Sequence, residues 1–200
     1  MRKAMIGGTG ITPFGKFIDT GLRPLAERAV RDALQDAAIT ANDVDMVFFG
    51  NAAGGLLTGQ ECARGQVALR YTGLLGKPIV NVENACASSS TAFHLAHMAV
   101  ASGRVEVALA VGVEKLSTED RTQPIKALES ASDLEAVDAL TGRISPDRAG
   151  NAAVFIAPSP HPAFPPIKLA AIPTPYLLVN FSDFLPPHVP TPKSSLNCPV

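Results

Sequence analysis

Residues 77–117 constrain the fold of this chain most strongly, because they predict a strand, a tight turn, a helix and a second strand in direct succession. Ile79–Val82 is a short β-branched run between Lys-Pro and Glu-Asn, which favours a buried strand. Residues 85–102 are small or favour helices, and Gly103 follows where a left-handed C-cap is expected. Residues 105–113 are almost uniformly apolar, as in a parallel strand covered on both faces. The segment therefore predicts a βαβ unit.

Cys86 falls at the turn between the first of these strands and the helix. Unpaired backbone N–H groups and the positive end of the helix dipole favour a thiolate at such a position, so Cys86 is a candidate nucleophile. The alternative is a buried and inert cysteine, because cysteine often packs as a small hydrophobic residue. The position of Cys86 alone leaves both interpretations open.

The residues before this unit continue the alternation of strands and helices. Four elements are predicted there, namely a strand at residues 4–6, an amphipathic helix at 22–37, a strand at 44–49 and a helix at 63–71. Gly54, Gly55 and Gly59 predict a flexible connection before the last of these elements. The resulting order, β-α-β-α-β-α-β, predicts the α/β class with a mainly parallel sheet between helices.

The glycine-rich turn at residues 7–10 matches neither common phosphate-binding fingerprint. A dinucleotide fingerprint requires a third glycine where the chain has Pro13. The P-loop pattern comes closer, with Gly15 and Lys16 at the expected spacing, but Phe17 replaces the hydroxyl residue that binds magnesium. A Gly/Pro turn that leaves a strand accounts for the segment.

Polar residues near Cys86 are interpreted as structural. His94 and His97 are three residues apart in the predicted helix, but no acidic residue or third ligand accompanies them, so packed or hydrogen-bonded histidines are expected rather than a metal site. Residues 88–90 are serines that would satisfy backbone donors in the first helical turn. Asn84 would hold the backbone of the turn.

Composition indicates an ordinary globular domain. The chain has 200 residues, 46% of them hydrophobic, and a net charge of −1, which gives no basic surface for nucleic acid or for an anionic membrane. No window reaches the roughly 18 apolar residues of a membrane span, and glycines interrupt the apolar N-terminus too early for a signal peptide. Cys62, Cys86 and Cys198 are odd in number and lack paired spacing, which predicts neither disulfides nor zinc and favours the cytoplasm.

The chain changes character twice towards its C-terminus. Residues 118–151 are polar and charged, with short helices predicted at 125–130 and 133–140. Residues 156–200 hold 12 of the 17 prolines, none of the 16 glycines and only three charged residues. This proline content is incompatible with long helices and central strands, so an irregular tail outside the fold is expected.

The string VENACASSSTAFHLAHMAVASGRVEVALAVGVEKLS resembles the nucleophile segment of the thiolase superfamily, especially of acetyl-CoA acetyltransferases related to the sterol-carrier-protein thiolases. IGGTGITPFGKF and VFFGNAAGG resemble the same family, in the same order and at similar distances. The similarity covers roughly residues 1–155. It implies a thiolase-like N-terminal half at 1–117, the start of the substrate-covering loop region at 118–155, and an unrelated Pro-rich tail at 156–200. Thiolases contain two such halves, so the fold is expected to be incomplete.

The resemblance also implies an activity. Cys86 would carry an acyl group as a thioester, with a coenzyme A thioester as substrate and no bound cofactor. Ile79–Val82 would pair with its twin in a homodimer. His161-Pro162 follows a proline and does not match the Gly-His-Pro setting of the family's second half, so impaired activity is expected. A non-catalytic interaction module and a ketoacyl-synthase-like condensing enzyme are the alternatives.

Overall fold

A five-stranded parallel sheet forms the core of the computed structural model, which describes residues 2–136, 139 and 177–179. Its order is β1-β5-β4-β2-β3, and every neighbouring pair is parallel. The strands are β1 (Gly8–Thr9), β2 (Met46–Gly50), β3 (Ile79–Val82), β4 (Ala108–Gly112) and β5 (Leu177–Val179). The predicted α/β class with a parallel sheet is confirmed.

Helices connect successive strands, as the right-handed crossovers of a parallel sheet require. They are α1 (Leu22–Asp36), α2 (Gly54–Thr58), α3 (Arg64–Ala68), α4 (Ser88–Ala101) and α5 (Thr122–Glu129), with short 3-10 turns at Ala41–Asp43 and Ala85–Ala87. None of the described helices is long and apolar enough to cross a membrane.

The two faces of the sheet are covered by different helices. Successive strand residues point to opposite faces, so Val47 and Phe49 pack with α1 and α3 whereas Phe48 packs with α4. The α4 face is built from small side chains, with Ala96 of the helix and Ala108 of β4 fully buried. These side chains let α4 lie close to the sheet, with its first turn at the carboxyl end of β3.

The first strand is formed by Gly8–Thr9, so the predicted strand at residues 4–6 is wrong in position. The displacement follows from close packing against α1. A Cβ atom on the first strand residue would lie 2.5 Å from the backbone nitrogen of Ala37, and one on Gly10 would lie 2.1 Å from the backbone oxygen of Ala29. The strand therefore forms where the glycines allow it to approach the helix.

Residues 54–59 are not the flexible connection that their glycines predicted, because Gly54–Thr58 forms α2. The N–H groups of Ala52 and Ala53, just before the helix, donate to the Glu114 carboxylate at 2.8 and 3.0 Å. Gly59 ends the helix in the left-handed region, with φ of 77°. Contacts 61 and 62 residues away in sequence, together with this cap, thus order the segment.

The structure describes part of the C-terminal region and tests some of the predictions made for it. The helix predicted at residues 125–130 is confirmed as α5, whereas the one predicted at 133–140 lies partly outside the described residues. Leu177–Val179 forms β5 between β1 and β4, so the expectation that residues 156–200 supply no central strand is wrong for these three. They belong to the longest proline-free run of that segment, 176–185, where backbone N–H groups are available for pairing. The rest of 156–200, with His161 and Cys198, lies outside the described residues.

Candidate active site

Cys86 lies in the 3-10 turn Ala85–Ala87, two residues before the first residue of α4. Its side chain is exposed and carries a free thiol. Ala85 has a φ of 44°, in the left-handed region that non-glycine residues rarely adopt. Such a conformation costs on the order of 1–3 kcal/mol and persists only when the surrounding structure enforces it. The turn is therefore a strained elbow with the thiol at its apex.

Hydrogen bonds on both sides of Cys86 enforce this elbow. The Ala85 N–H donates to Glu83 Oε1 at 2.6 Å, and the Asn84 N–H donates to Ser88 Oγ at 2.8 Å. Ser88 Oγ donates in turn to the Ala85 oxygen at 2.8 Å, so the predicted role of Ser88 in satisfying a backbone donor is confirmed. The Asn84 side chain donates to Thr91 Oγ1 at 2.9 Å. It therefore ties the turn to α4 and does not hold the backbone of the turn directly.

Backbone N–H groups remain available around the thiol. Within the part of the chain that the structure describes, the Cys86 N–H donates to no acceptor, and no side chain caps the start of α4. Ser90 does not fill this role, because its hydroxyl donates to the Ala87 oxygen at 2.9 Å. An oxygen that develops negative charge beside Cys86 would meet at least one free donor and the positive end of a 14-residue helix.

A cavity of about 600 Å³ opens beside Cys86. This volume is within the range of small-molecule sites, about 300–1,000 Å³. The carboxyl ends of β2 and β4, the start of α4, and helices α2 and α5 surround it. Residues from these elements include Gly50, Leu56, Ser89, Val113, Ala127 and Leu128. The thiol therefore faces a space large enough for an organic substrate, at the sheet edge where parallel α/β folds bind ligands.

The predicted histidines lie away from this cavity. His94 and His97 are on the exposed face of α4, and neither makes a hydrogen bond within the described residues, so the prediction that they are packed or hydrogen-bonded is wrong. The burial of α4 explains this, because its small residues face the sheet and leave both histidines outside. No three His, Cys, Asp or Glu side chains among the described residues are placed to hold a metal ion.

Two other sequence features do not line the cavity. Cys62 is exposed but does not line the cavity. The glycine-rich turn at residues 7–10 is not followed by a helix until Leu22, so it lacks the helix N-terminus on which phosphate loops depend. Of the described cysteines, only Cys86 combines exposure with a place in the cavity wall.

A polar cluster in the cavity wall was not predicted from sequence. Glu114 accepts hydrogen bonds from the N–H groups of Ala52 and Ala53 and from Asn51 Nδ2, the last at 3.1 Å. Arg64 Nη1 donates to the Asn51 side-chain oxygen at 3.2 Å and to the Ala52 oxygen at 2.9 Å. Asn51 and Glu114 each follow closely the end of a buried strand, and neighbouring parallel strands end at the same sheet edge. That pattern marks Asn51 and Glu114 as candidates for this end of the sheet, and the adjacency of β2 and β4 brings them together.

The sequence matches the family model "Thiolase, N-terminal domain" over residues 4–148. It is 36% identical over 135 residues to an acetyl-CoA acetyltransferase of Methanothermobacter thermautotrophicus, and 39% identical over 135 residues to that of Methanocaldococcus jannaschii. Each alignment covers 68% of this chain and 34% of the relative. Human sterol carrier protein 2 is 35% identical over 123 residues, which cover 58% of this chain and 21% of that protein.

These matches coincide with the structural features described above. The matched region contains the elbow, the cavity wall and strands β1 to β4. The chain spans about a third of the length of the archaeal relatives. Because the family model matches well over half of its residues, the chain belongs to the thiolase family, of which it corresponds to the N-terminal domain.

Proposed function

We propose that this chain is a thiolase-type acyltransferase domain in which Cys86 accepts an acyl group from a coenzyme A thioester, as part of lipid metabolism. The observation that carries the proposal is the exposed Cys86 thiol on a strained elbow, beside a cavity of about 600 Å³. The relatives named acetyl-CoA acetyltransferase support acetyl-CoA as the acyl donor. Coenzyme A enters as part of the substrate, and the chemistry requires no bound cofactor.

In the acylation step, Cys86 Sγ attacks the thioester carbonyl carbon. The bond from that carbon to the coenzyme A sulfur then breaks, and coenzyme A leaves as a thiol with the proton that Cys86 gave up. The carbonyl oxygen carries negative charge between these events. The Cys86 N–H, which donates to no acceptor among the described residues, would stabilise this charge, and such a donor contributes about 10²–10³-fold to the rate.

The second step, condensation or thiolysis, needs positioned acid–base groups. Besides Cys86, the described ionisable residues of the cavity wall are Glu61, Arg64, Glu83 and Glu114. Glu83 and Glu114 already accept backbone N–H groups. The described part of the chain thus supports acylation better than complete turnover, and we propose that the second step uses groups from outside it.

Intact-protein mass spectrometry after incubation with acetyl-CoA tests this proposal. We expect one acetyl adduct on the wild-type chain and on Cys62→Ala, and none on Cys86→Ala. A folded wild-type chain that forms no adduct with acetyl-CoA would instead support a non-catalytic interaction module. Acylation by an acyl-carrier-protein thioester but not by acetyl-CoA would support a ketoacyl-synthase-like condensing enzyme.

We further propose that the protein is a homodimer. β3 is at the end of the sheet order, and among the described strands only β2 pairs with it. An unpaired strand edge is a natural site for pairing with a second copy of the same strand about a two-fold axis.

We propose the cytoplasm as the compartment. Cys62 and Cys86 are both free and exposed, and acyl transfer requires the Cys86 thiol to stay reduced. Trapping the thiols with a maleimide in intact cells would test this, because an oxidising compartment would leave Cys86 blocked.

A further inference from the structure

We propose that Asn51 is a positioning residue for Cys86. It joins the ends of three strands on which the elbow is built, without itself touching the reacting atoms. The inference rests on the proposed role of Cys86 as acyl acceptor. Asn51 is 2% exposed, and it is one of the few buried polar residues among those that the structure describes.

Asn51 connects the carboxyl ends of β2, β3 and β4. Its backbone N–H donates to the oxygen of Val82, the last residue of β3, at 3.1 Å. Its side-chain Nδ2 donates to the oxygen of Val113, just after β4, at 2.8 Å. Because Cys86 follows Val82 by only four residues, the backbone bond fixes the point from which the elbow departs. The side-chain bond to Val113 holds the backbone of residue 51 in the position from which it makes that bond, and this is the part that Asn51→Ala removes.

The elbow is also held on its far side by the residue before Asn51. Gly50 packs so closely against the start of α4 that a Cβ atom would lie 2.7 Å from the Ser88 oxygen and 2.9 Å from Ser89 Cα. The end of β2 thus contacts the backbone that begins two residues after Cys86. The bond from the Asn51 N–H to Val82 fixes the backbone before Cys86. A shift of residues 50–51 would move both ends of the elbow.

The Asn51 amide is itself oriented by charged groups on opposite sides. Arg64 Nη1 donates to Asn51 Oδ1 at 3.2 Å, and Glu114 Oε1 accepts from Asn51 Nδ2 at 3.1 Å. An asparagine amide presents its acceptor and its donors in opposite directions, so this pair of charges selects one orientation. A hydrogen-bonded cluster of this kind, with Asn51 buried and its charged partners half-buried, restricts the motion of the amide.

Rigidity here matters because nucleophilic catalysis tolerates little displacement. A misplacement of about 1 Å can cost on the order of 10²-fold in rate. The strained Ala85 conformation would relax if the backbone around it were released. Asn51 is therefore expected to control the alignment of the Cys86 thiol with the start of α4.

The test compares Asn51→Ala with Asn81→Ala. Asn81 is a matched control on β3, because its amide is likewise hydrogen-bonded through both its oxygen and its nitrogen, but to the Gly65 N–H and to Gln66 Oε1 in α3. The measurement is the rate of alkylation by iodoacetamide at Cys86 relative to Cys62 in the same molecules, by peptide mapping at a temperature well below the thermal midpoint of each variant.

We expect Asn51→Ala to lower the Cys86-to-Cys62 ratio about tenfold, a tenth of the 10²-fold that a full 1 Å displacement can cost. Asn81→Ala should leave the ratio at its wild-type value. A merely structural loss at Asn51 would lower the thermal midpoint but leave the ratio, measured well below that midpoint, unchanged.

Glu114→Gln provides a second variant if Asn51→Ala does not fold. It keeps the shape of the side chain but removes the charge that orients the Asn51 amide, so a smaller decrease in the same ratio is expected. An unchanged ratio in a folded Asn51→Ala, or in Glu114→Gln if the former is unfolded, would overturn the inference. A wild-type Cys86 that resists acetylation refutes the proposed function separately, because the alkylation ratios do not depend on acetyl-CoA.

Discussion

The expected reactivity of Cys86 comes from backbone geometry rather than from a neighbouring side chain. No described histidine lines the cavity, and the groups nearest in sequence, Glu83 and Ser88, are engaged in holding the turn. What distinguishes Cys86 is the start of a 14-residue helix two residues later. Cys62 is also exposed, but the helix after it has only five residues. A shorter helix aligns fewer peptide dipoles.

Cys86 is therefore predicted to be the most reactive thiol of the chain. Limiting iodoacetamide followed by peptide mapping should label Cys86 before Cys62 and Cys198, because a thiolate near a helix N-terminus is the better nucleophile. Denatured protein provides the control, since unfolding should make the labelling of the three thiols similar. Preferential labelling of Cys62 or Cys198 in the native protein would contradict the prediction.

Gly50 is a residue at which a single methyl group should disturb the site. Gly50→Ala places Cβ within 2.9 Å of three backbone atoms of Ser88 and Ser89, which cannot move without displacing α4. Overpacking of this kind typically costs about 1–3 kcal/mol of stability. The expected result is a lower thermal midpoint by circular dichroism together with slower alkylation of Cys86.

Gly15→Ala serves as the control for this prediction. The exposed Gly15 has only the Phe17 ring as a neighbour, at an ordinary contact distance of 3.5 Å. The substitution should leave both the thermal midpoint and the alkylation rate near their wild-type values. Equal effects of the two substitutions would mean that the elbow tolerates displacement of β2.

At the scale of elements, sequence patterns predicted the long and strongly periodic ones. The helix expected at residues 22–37 is α1, and the β-branched run Ile79–Val82 is β3 at the predicted bounds. Local patterns suffice there because each element buries one regular face or stripe. The patterns missed α2, since Gly54 and Gly55 lower intrinsic helix propensity. The order of α2 depends on Glu114, and contacts between residues 62 apart leave no local signal.

The candidate site was likewise predicted only in part from the sequence. The turn that holds Cys86 was predicted because a strand followed by a helix is visible in a single window of sequence, and the resemblance to thiolases then selected Cys86 as the nucleophile. Asn51, Arg64 and Glu114 were not, because what brings them together is the parallel register of β2 and β4, in which Gly50 pairs with Gly112. Predicting that cluster requires the order of strands in the sheet, which sequence periodicity does not supply.

The 3-10 turn Ala41–Asp43, before β2, supports a prediction about pH. The Thr40 hydroxyl donates to Asp43 Oδ2 at 2.7 Å and the Thr40 N–H donates to the same oxygen at 2.8 Å. The side-chain bond first, and the backbone bond second, hold the pKa of Asp43 below its ordinary value of 3.8. Because the pKa is lower in the folded state, this carboxylate stabilises the fold above pH 3.8, and the contribution disappears as the pH falls through the lowered pKa.

Asp43→Ala should therefore lower the thermal midpoint at neutral pH. The difference from wild type should shrink as the pH is lowered below 3.8, because the wild-type carboxyl then becomes protonated and loses the same bonds. Asp19→Ala is the control, since the exposed Asp19 makes no side-chain hydrogen bond within the described residues. A midpoint difference for Asp43→Ala that stays constant with pH would show that the carboxylate charge does not contribute.

For the whole molecule, the free edge at β3 predicts self-association. The described sheet ends at this strand, which lies in the middle of the matched thiolase region and leads directly into the elbow. Pairing of two β3 edges would satisfy backbone groups that otherwise face water. Light scattering across micromolar concentrations should give the mass of a dimer. A monomer with native circular dichroism throughout that range would contradict this prediction.

Complete turnover by the whole chain is predicted to be slow. Steady thiolysis of acetoacetyl-CoA by the purified chain should be far slower than a single acylation of Cys86. Each positioned acid–base group contributes about 10²–10⁴-fold, and no described histidine reaches the cavity. A burst of one acyl group per chain followed by little further product is expected, and Cys86→Ala should abolish the burst. Sustained turnover that depends on Cys86 would contradict the prediction, and would direct mutagenesis first to His161 and His94 as sources of the missing acid and base.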